Sequence, residues 1–204
     1  ATLPDKAFEL AIVDPPYGIG DFSMDSHSGS SRWKAEKNNT YKWNESTPTG
    51  TYFTELTRVS KNQIIWGANY YNCFPKNGGA IVWYKRMGHP DLSDCEIASS
   101  SIKKIVKFVH IDWQSGFARA NTGGTFHPCQ KPIKLYEWLL TNYAKPGDRI
   151  LDTHLGSGSS AIAAHYGGFE FVGCELDEDY YKAAVQRFES ATAQLAMFGG
   201  EATP

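Results

Sequence analysis

Residues 149–176, "RILDTHLGSGSSAIAAHYGGFEFVGCEL", decide the fold. "RILDTH" has the character of a short apolar strand, "LGSGSS" is a glycine-rich turn, and the alanine-rich segment after it predicts a helix that stops at Gly167 and Gly168. "FEFVGCEL" predicts a second strand, and a last helix is expected from about Asp177. Strand–helix–strand order predicts a right-handed crossover within a parallel sheet, and therefore an α/β protein.

The glycine-rich turn of this stretch indicates a cofactor site. The triplet Gly156-Ser157-Gly158 follows a strand that ends at Asp152. Two positions without side chains let a ligand approach the backbone where a helix presents free N–H groups. Glu175 ends the next strand, from which a carboxylate can bind both hydroxyls of a ribose. The order predicts a ribose-bearing ligand, and the alternative is a tight turn with a surface glutamate.

A second motif ends another buried strand in the stretch "LAIVDPPYGIG", residues 10–20. Two consecutive prolines end sheet pairing, because neither has a backbone N–H. They leave an acid, two carbonyls without competing donors and an aromatic ring at a strand end, where α/β proteins bind ligands. Alone, the motif fits a strand-ending turn with a capping aspartate equally well. The glycine-rich motif on the same sheet favours a functional site.

The rest of the chain supplies further strands and helices. Residues 7–13 predict a strand, and apolar residues at helical spacing from Tyr52 onward predict a helix. "QIIWG" and "GGAIVWYK" predict two further strands. Within residues 95–111, "CEIASS" and "KKIVKFVHI" predict two short strands joined as a hairpin. "PIKLYEWLLTNY" predicts a helix with proline in its first turn. Residues 21–49 and 114–126 predict loops, and the tail from about Ala191 is expected to fray.

The composition indicates one compact domain over residues 1–204. The chain has 41% hydrophobic residues, enough for a substantial core. A net charge of -2 and a pI near 6.3 exclude a globally basic binder, so a nucleic acid would meet local patches. The four cysteines form no C-x-x-C pair, which argues against a zinc site or a small disulfide scaffold and fits a reducing cytoplasm. No long apolar run or leader appears, so we expect a cytoplasmic protein without membrane contact.

Taken together, Asp-Pro-Pro-Tyr and Asp-x-x-x-Gly-x-Gly resemble the S-adenosylmethionine-dependent amino-methyltransferases of nucleic-acid bases. The motif order resembles their permuted β group, with the catalytic motif at Asp14 first and the cofactor motif at Asp152 near the C-terminus. "IIWGANYY" and "GGAIVWYKR" look like the family's sheet segments, and "HPCQKPIKLYEWLL" looks like the segment that helps enclose methionine. The whole pattern is most similar to small adenine-specific DNA methyltransferases of bacteria and phages.

This resemblance implies a fold, a cofactor and a partner. The fold would be a Rossmann-like methyltransferase fold: a mostly parallel twisted sheet with an antiparallel hairpin at one edge and helices on both faces. The cofactor would be S-adenosyl-L-methionine, with S-adenosyl-L-homocysteine as product and no metal. The partner would be DNA, in a bacterial host or a phage-infected cell. The implied cofactor residues are Asp152, Gly156, Ser157, Gly158, Glu175, Lys131 and His127, of which the last two fit a solvated helix entry equally well.

Amine chemistry explains the residue types of the Asp-Pro-Pro-Tyr motif. An exocyclic amine is a poor nucleophile because its lone pair is conjugated into the ring, so two acceptors aimed at its N–H bonds must draw the nitrogen toward tetrahedral geometry. Asp14 offers a carboxylate and Pro15 a carbonyl, while Pro16 keeps the backbone stiff. Tyr17 is placed to stack on a base flipped from the duplex. The transfer is direct and needs no covalent Cys or Ser.

Three alternatives to adenine-N6 methylation stay open. Cytosine N4 is the other amine that this family methylates, although those enzymes more often carry Ser in place of Asp14. The chain could also be a non-catalytic, cofactor-binding subunit of a heteromeric methyltransferase, which an intact motif argues against. A Rossmann-type dehydrogenase is the third, weakened because position 161 is Ala and not the third glycine of the dinucleotide fingerprint.

DNA contacts are expected from loops rather than from a separate domain. Residues 31–44 mix cations and aromatic rings, as expected where a backbone is gripped and bases are stacked, although a solvated loop would look similar. The predicted DNA-binding residues are Arg32, Trp33, Lys34, Lys37, Lys42 and Arg119. The recognition loop at 112–126 is too short for a domain, which predicts a short or degenerate target, or help from a second subunit or a homodimer.

Overall fold

The computed structural model describes residues 3–19, 44–86, 93–112 and 130–198. The strands in these ranges are β1 (Phe8–Val13), β2 (Ser60–Trp66), β3 (Gly79–Tyr84), β4 (Cys95–Ser100), β5 (Val106–His110), β6 (Arg149–Asp152) and β7 (Glu170–Gly173). The helices are α1 (Gly50–Val59), α2 (Ala68–Tyr71), α3 (Ile133–Tyr143), α4 (Ser159–Tyr166) and α5 (Glu178–Phe198). Each predicted element within these ranges is present, and α2 is the helix that the sequence did not indicate.

All of these strands belong to one sheet, in the order β5-β3-β4-β2-β1-β6-β7. Strand β1 pairs in parallel with β2 on one side and with β6 on the other, and β7 pairs in parallel with β6. This half confirms the predicted parallel sheet. Because the strands run the same way, the ends of β1, β6 and β7 meet at one edge, where α/β sheets bind ligands.

The other half of the sheet corrects the predicted hairpin. Strand β4 is antiparallel to β2 and to β3 inside the sheet, whereas β5 pairs in parallel with β3. The segment between β4 and β5 crosses the start of β3, where a Cβ on Gly79 would lie 2.0 Å from the Lys103 carbonyl oxygen. The missing side chain therefore lets the chain pass over β3 to its far side. The antiparallel hairpin is formed by β3 and β4, and the prediction that β4 and β5 form it is wrong.

Helices cover both faces of the sheet, as expected. Alternate side chains of a strand point to opposite faces. Leu10 and Ile12 of β1 pack in one buried cluster with side chains of α3 and α4. Ala11 and Val13 belong to a second cluster, which α1 covers. Strand β1 is thus buried on both sides, and it ends at the same edge of the sheet as β6.

The last helix is longer than the sequence predicted. Helix α5 continues past Ala191 to Phe198, over residues that the sequence predicts to fray. The segment "ATAQLAMF" lacks a clear apolar stripe, but most of its residue types favour helix strongly. None of the helices in the described ranges combines the length and the apolar character that a membrane span needs.

Candidate active site

The Asp-Pro-Pro-Tyr motif and the glycine-rich loop leave neighbouring strands at the same edge of the sheet. The motif follows directly after β1, which ends at Val13. Strand β1 pairs with β6, with Leu10 opposite Ile150, and β6 ends at Asp152 just before the glycine-rich loop. The fold therefore brings together the two motifs that the sequence singled out.

The Asp14 carboxylate is held by two donors of its own chain. Its Oδ1 accepts a 2.7 Å hydrogen bond from the Tyr17 hydroxyl, and its Oδ2 forms an ion pair with the Lys131 ammonium group. Lys131 Nζ also lies 3.0 Å from Glu96 Oε2. Lys131, which the resemblance assigned to the cofactor, thus makes its ion pairs with the Asp-Pro-Pro-Tyr motif and with β4.

Lys131 is buried, and the charged groups around it are partly buried and paired. Glu96 Oε1 accepts a 2.9 Å hydrogen bond from Lys85 Nζ. Burial by itself would raise the pKa of Glu96, but the ammonium groups of Lys131 and Lys85 lower it to about 2. Burial would also lower the pKa of Lys131, yet the carboxylates of Asp14 and Glu96 raise it above its ordinary value. Lys131 is therefore a fixed cation beside Asp14.

Tyr17 is packed tightly inside the motif. One face of its ring stacks on Tyr70, with 4.7 Å between the centroids and 14° between the planes. A Cβ on Gly67, the residue before α2, would lie 2.3 Å from the Tyr17 ring. Burial and the Asp14 carboxylate raise the pKa of the Tyr17 hydroxyl, which keeps it a hydrogen-bond donor. Tyr70 therefore occupies one of the two ring faces on which a base could stack.

Two residues that the sequence did not single out hold the Pro-Pro backbone. The Tyr71 hydroxyl donates to the Pro15 carbonyl and, at 3.0 Å, to the Pro16 carbonyl. Asn44 Oδ1 accepts hydrogen bonds of 3.0 and 3.2 Å from the backbone N–H groups of the two residues after the prolines. The double tyrosine of "IIWGANYY" was the available signal, but the short helix α2 that presents it has too little periodicity to be recognised.

The glycine-rich loop has the backbone conformation that only glycine adopts readily. Gly156 and Gly158 have φ values of 51° and 74°, in the left-handed region. A Cβ on Gly158 would also press on Ala184 of α5, at 3.3 Å. Helix α4 begins at the next residue, Ser159, so its first N–H groups face the same edge as the Asp-Pro-Pro-Tyr motif.

Glu175 closes the glycine-rich loop against the end of β7. Its Oε2 accepts a 2.8 Å hydrogen bond from the Gly156 N–H. Its Oε1 accepts from the backbone N–H groups of Leu176 and Asp177, at 2.9 and 3.1 Å. The Leu176 side chain is fully exposed beside it. Glu175 therefore joins the two loops that border the site, and an apolar surface lies next to its carboxylate.

Asp152 braces the connection between β6 and α4. The sequence left open whether this residue contacts a cofactor or supports the Gly156 turn. Its buried carboxylate accepts hydrogen bonds from the Ser160 hydroxyl, at 2.6 Å, and from the His154 N–H, at 3.0 Å. Burial raises the pKa of Asp152 to about 6, despite those two donors. Both hydrogen bonds join Asp152 to the segment between β6 and α4, so they support this connection.

Arg187 of α5 hydrogen-bonds to the glycine-rich loop, a contact that the sequence did not indicate. Its Nη1 donates to the Ser157 carbonyl at 2.6 Å and to Ser159 Oγ at 2.9 Å. Burial lowers the pKa of Arg187 to about 10. An arginine on the inward side of an amphipathic helix was the only signal, and the sequence does not show which loop it meets.

The remaining predicted site residues lie outside the described residues, and their roles stay predictions. They are His127 of the cofactor segment, Arg32, Trp33, Lys34, Lys37 and Lys42 of the first loop, and Arg119 of the recognition loop.

Comparisons with known proteins identify relatives of this chain. The family model of N6/N4 methyltransferases, described as DNA methylase, matches residues 62–186. The methylase YubD of Escherichia coli is 37% identical over 81 residues, which are 40% of this chain and 35% of that protein. The chain therefore matches only about a third of that relative's length.

Two solved structures have the same fold. One is the complex of M1.HpyAVI with SAM, with a TM-score of 0.54 and 17% identity over 89% of this chain and 90% of that one. The other is the cytosine-N4-specific PvuII DNA methyltransferase, with a TM-score of 0.57 and 15% identity over 98% of this chain and 89% of that one. These likenesses confirm the predicted Rossmann-like fold.

Proposed function

Because the chain belongs to the DNA methylase family of N6 and N4 amino-methyltransferases, we propose that it transfers a methyl group from S-adenosylmethionine to the exocyclic N6 amine of adenine in DNA. One observation carries the proposal. The Asp14 carboxylate and the Pro15 carbonyl lie together after β1, one strand away from a glycine-rich loop that leaves β6. An amine acceptor pair and a cofactor loop at one sheet edge are what amine methylation requires.

The two acceptors already bind donors of the kind that a base would present. Asp14 accepts from a hydroxyl and an ammonium group, and Pro15 accepts from the Tyr71 hydroxyl. An entering amine would share or replace the hydroxyl donors, because carboxylate and carbonyl oxygens each have more than one lone pair. The acceptors are thus held in place before the base arrives, which is the condition for preorganised electrostatic stabilisation.

The loop residues fit a nucleoside-type cofactor. Gly156 and Gly158 give the loop its left-handed backbone, and the first N–H groups of α4 follow directly after it. Glu175 would accept hydrogen bonds from ribose hydroxyls, and the exposed Leu176 beside it would cover a purine ring. When bound, S-adenosylmethionine supplies an electrophilic methyl group. Asp14 would take up the proton that the amine releases.

The choice of adenine over cytosine rests on Asp14. The resemblance associates Asp in the first motif position with adenine, and Ser with cytosine N4. The structural likeness to a cytosine-N4-specific enzyme keeps cytosine as the second candidate. In either case the base would leave the duplex, and the stacked pair Tyr17 and Tyr70 would form one wall of its pocket.

Labelled methyl transfer tests the proposal. Wild-type protein with methyl-labelled S-adenosylmethionine should label unmethylated DNA. Asp14→Ala should lose at least about 10²-fold in rate, the range for removing one preorganised polar group, while calorimetry shows unchanged cofactor affinity. Asp179→Ala, at an exposed position on α5, is the matched control and should keep full activity.

Two outcomes would contradict the proposal. Binding of NAD with no labelling of DNA would identify a dehydrogenase-type site. Tight binding of S-adenosylmethionine without labelling of DNA by the isolated chain would identify a cofactor-binding subunit that depends on a second protein for catalysis.

A further inference from the structure

We propose that Lys131 is a positioning residue, clamped by Glu96, whose ammonium group holds the Asp14 carboxylate in the orientation in which it would accept from the amine. This inference rests on the proposed function, since it gives Asp14 its catalytic task. Lys131 would act only through Asp14, and would not contact the cofactor or the reacting atoms.

The geometry fixes Lys131 from two sides. Its side chain is 4% exposed, and its Nζ pairs with Asp14 Oδ2 and lies 3.0 Å from Glu96 Oε2. The Tyr17 hydroxyl, which donates to the other Asp14 oxygen, lies 3.4 Å from the same Nζ. Lysine and tyrosine therefore hold one carboxylate oxygen each, which leaves the carboxylate little freedom to rotate.

The cluster is balanced in charge. Two carboxylates, Asp14 and Glu96, face two ammonium groups, Lys131 and Lys85, and Glu96 is the member that contacts both lysines. Buried charges are tolerated when each has a partner, and removing one partner leaves an uncompensated charge. Loss of Lys131 would leave the carboxylates of Asp14 and Glu96 near a single ammonium group. Two close carboxylates repel each other when both are charged, so the pair would keep one proton up to a higher pH than in wild type.

Other titratable groups around the cluster do not replace Lys131. Among the described residues, the titratable groups that interact electrostatically with Asp14 or Glu96 are Tyr17 of the motif, Tyr52 of α1, Tyr71 of α2, Lys85 after β3, Lys131 before α3, Tyr136 of α3, and Asp152 and His154 at the end of β6. Burial raises the pKa of each of these tyrosines and lowers that of His154. Lys131 and Lys85 are thus the cations of this described set at neutral pH.

The contacts of Lys131 also distinguish it from a cofactor ligand. Glu175 and Arg187 are the charged side chains that hydrogen-bond to the backbone of Gly156 and Ser157 in the glycine-rich loop. Lys131 instead contacts the motif after β1 and the side chain of Glu96 on β4. A lysine that held the cofactor would alter cofactor affinity, whereas a lysine that holds Asp14 would alter the pH dependence of the rate.

Four variants test this prediction: Lys131→Met, Lys131→Arg, Glu96→Gln and the double variant Lys131→Met/Glu96→Gln. In Lys131→Met, kcat should fall by about 10²-fold, as expected for a misplaced catalytic group, with unchanged affinity for S-adenosylmethionine. The acid limb of its pH–rate profile should move to higher pH, because two carboxylates would then lie near a single ammonium group. In Lys131→Arg, the acid limb should lie at the same pH as in wild type.

The double variant is the most informative of the four. It removes one ammonium group and one carboxylate, so the net charge of the cluster is the same as in wild type although Lys131 is absent. Its acid limb should return toward the wild-type position, although kcat stays low. It also removes one partner from each of Asp14 and Lys85, so circular dichroism is recorded for it and for Lys131→Met before their rates are compared. Lys61→Met is the matched control: Lys61 forms a surface ion pair with Glu9, so its loss should change neither kcat nor the limb.

Carboxyl ¹³C NMR tests the ion pair between Lys131 and Glu96 without an activity measurement. Glu96, assigned by the signal lost in Glu96→Gln, should titrate at higher pH in Lys131→Met than in wild type. An unchanged Glu96 titration, or an equal acid limb in the single and double variants, would overturn the proposal. Weakened cofactor binding with an unmoved limb would return Lys131 to the cofactor site. If wild type methylates no DNA, the proposed function fails, and the Glu96 titration still decides whether Lys131 is the clamp.

Discussion

Replacing Glu175 by alanine should weaken cofactor binding in two separable ways. The substitution removes the acceptor of three backbone N–H groups, those of Gly156, Leu176 and Asp177. Water can replace this acceptor at the exposed Leu176, but the Gly156 N–H then loses its brace. Every ligand of the loop should therefore bind less tightly in Glu175→Ala, whether or not Glu175 contacts it.

The second part of the lost affinity comes from hydrogen bonds between Glu175 and the ribose hydroxyls. A hydroxyl that donates to a carboxylate contributes about 1.5–3 kcal/mol. If Glu175 binds the ribose, wild type should prefer a ligand with ribose hydroxyls over one without them by about 10- to 150-fold in Kd for each such bond. Glu175→Ala should lose that preference, because the acceptor is gone for both ligands.

Calorimetry with S-adenosylhomocysteine and its 2′,3′-dideoxy analogue measures both parts. The coupling between the substitution and the ribose hydroxyls is the ribose contribution, and the common loss is the loop contribution. Glu178→Ala, which removes a surface ion pair with Lys182, is the control and should leave both affinities unchanged. Equal weakening of both ligands by Glu175→Ala would refute ribose binding and leave Glu175 as a brace only.

Three further predictions follow from other parts of the chain. Gly67→Ala should abolish methylation, because its Cβ would displace the Tyr17 ring, whereas Gly168→Ala, with a similar φ but open space, should keep activity in the same assay. Burial raises the pKa of Asp152 from 3.8 to about 6, so chemical denaturation should show wild type losing roughly 3 kcal/mol relative to Asp152→Asn as pH rises through that window; a constant difference would contradict this. Methylation mapped on random DNA should show a consensus of only a few base pairs, and a strict long site read by the monomer would contradict the short recognition loop.

Local patterns predicted the two loops that build the site. Two prolines end a strand whatever surrounds them, and left-handed backbone at positions 156 and 158 requires glycine. The parallel half of the sheet follows from the strand–helix–strand order in the same way. These features depend on residues close together in sequence, so their positions could be read before the structure.

Contacts between distant segments could not be predicted in this way. Lys131 lies 117 positions from its partner Asp14, and Tyr71 lies 56 positions from Pro15. The hairpin error has the same origin, since short turns between β4 and β5 suggested direct pairing. The crossing over Gly79 becomes apparent only when β3 and the connecting segment are seen together.

Nucleoside analysis of treated DNA tests the central claim most directly. Unmethylated DNA is incubated with S-adenosylmethionine and either wild type or Asp14→Ala, digested to nucleosides and analysed by mass spectrometry. Wild type should produce N6-methyladenine, and Asp14→Ala should produce none above the no-enzyme control. N4-methylcytosine as the product would contradict the adenine assignment, and no methylated nucleoside from a wild-type protein that binds the cofactor would contradict the claim that this chain methylates DNA by itself.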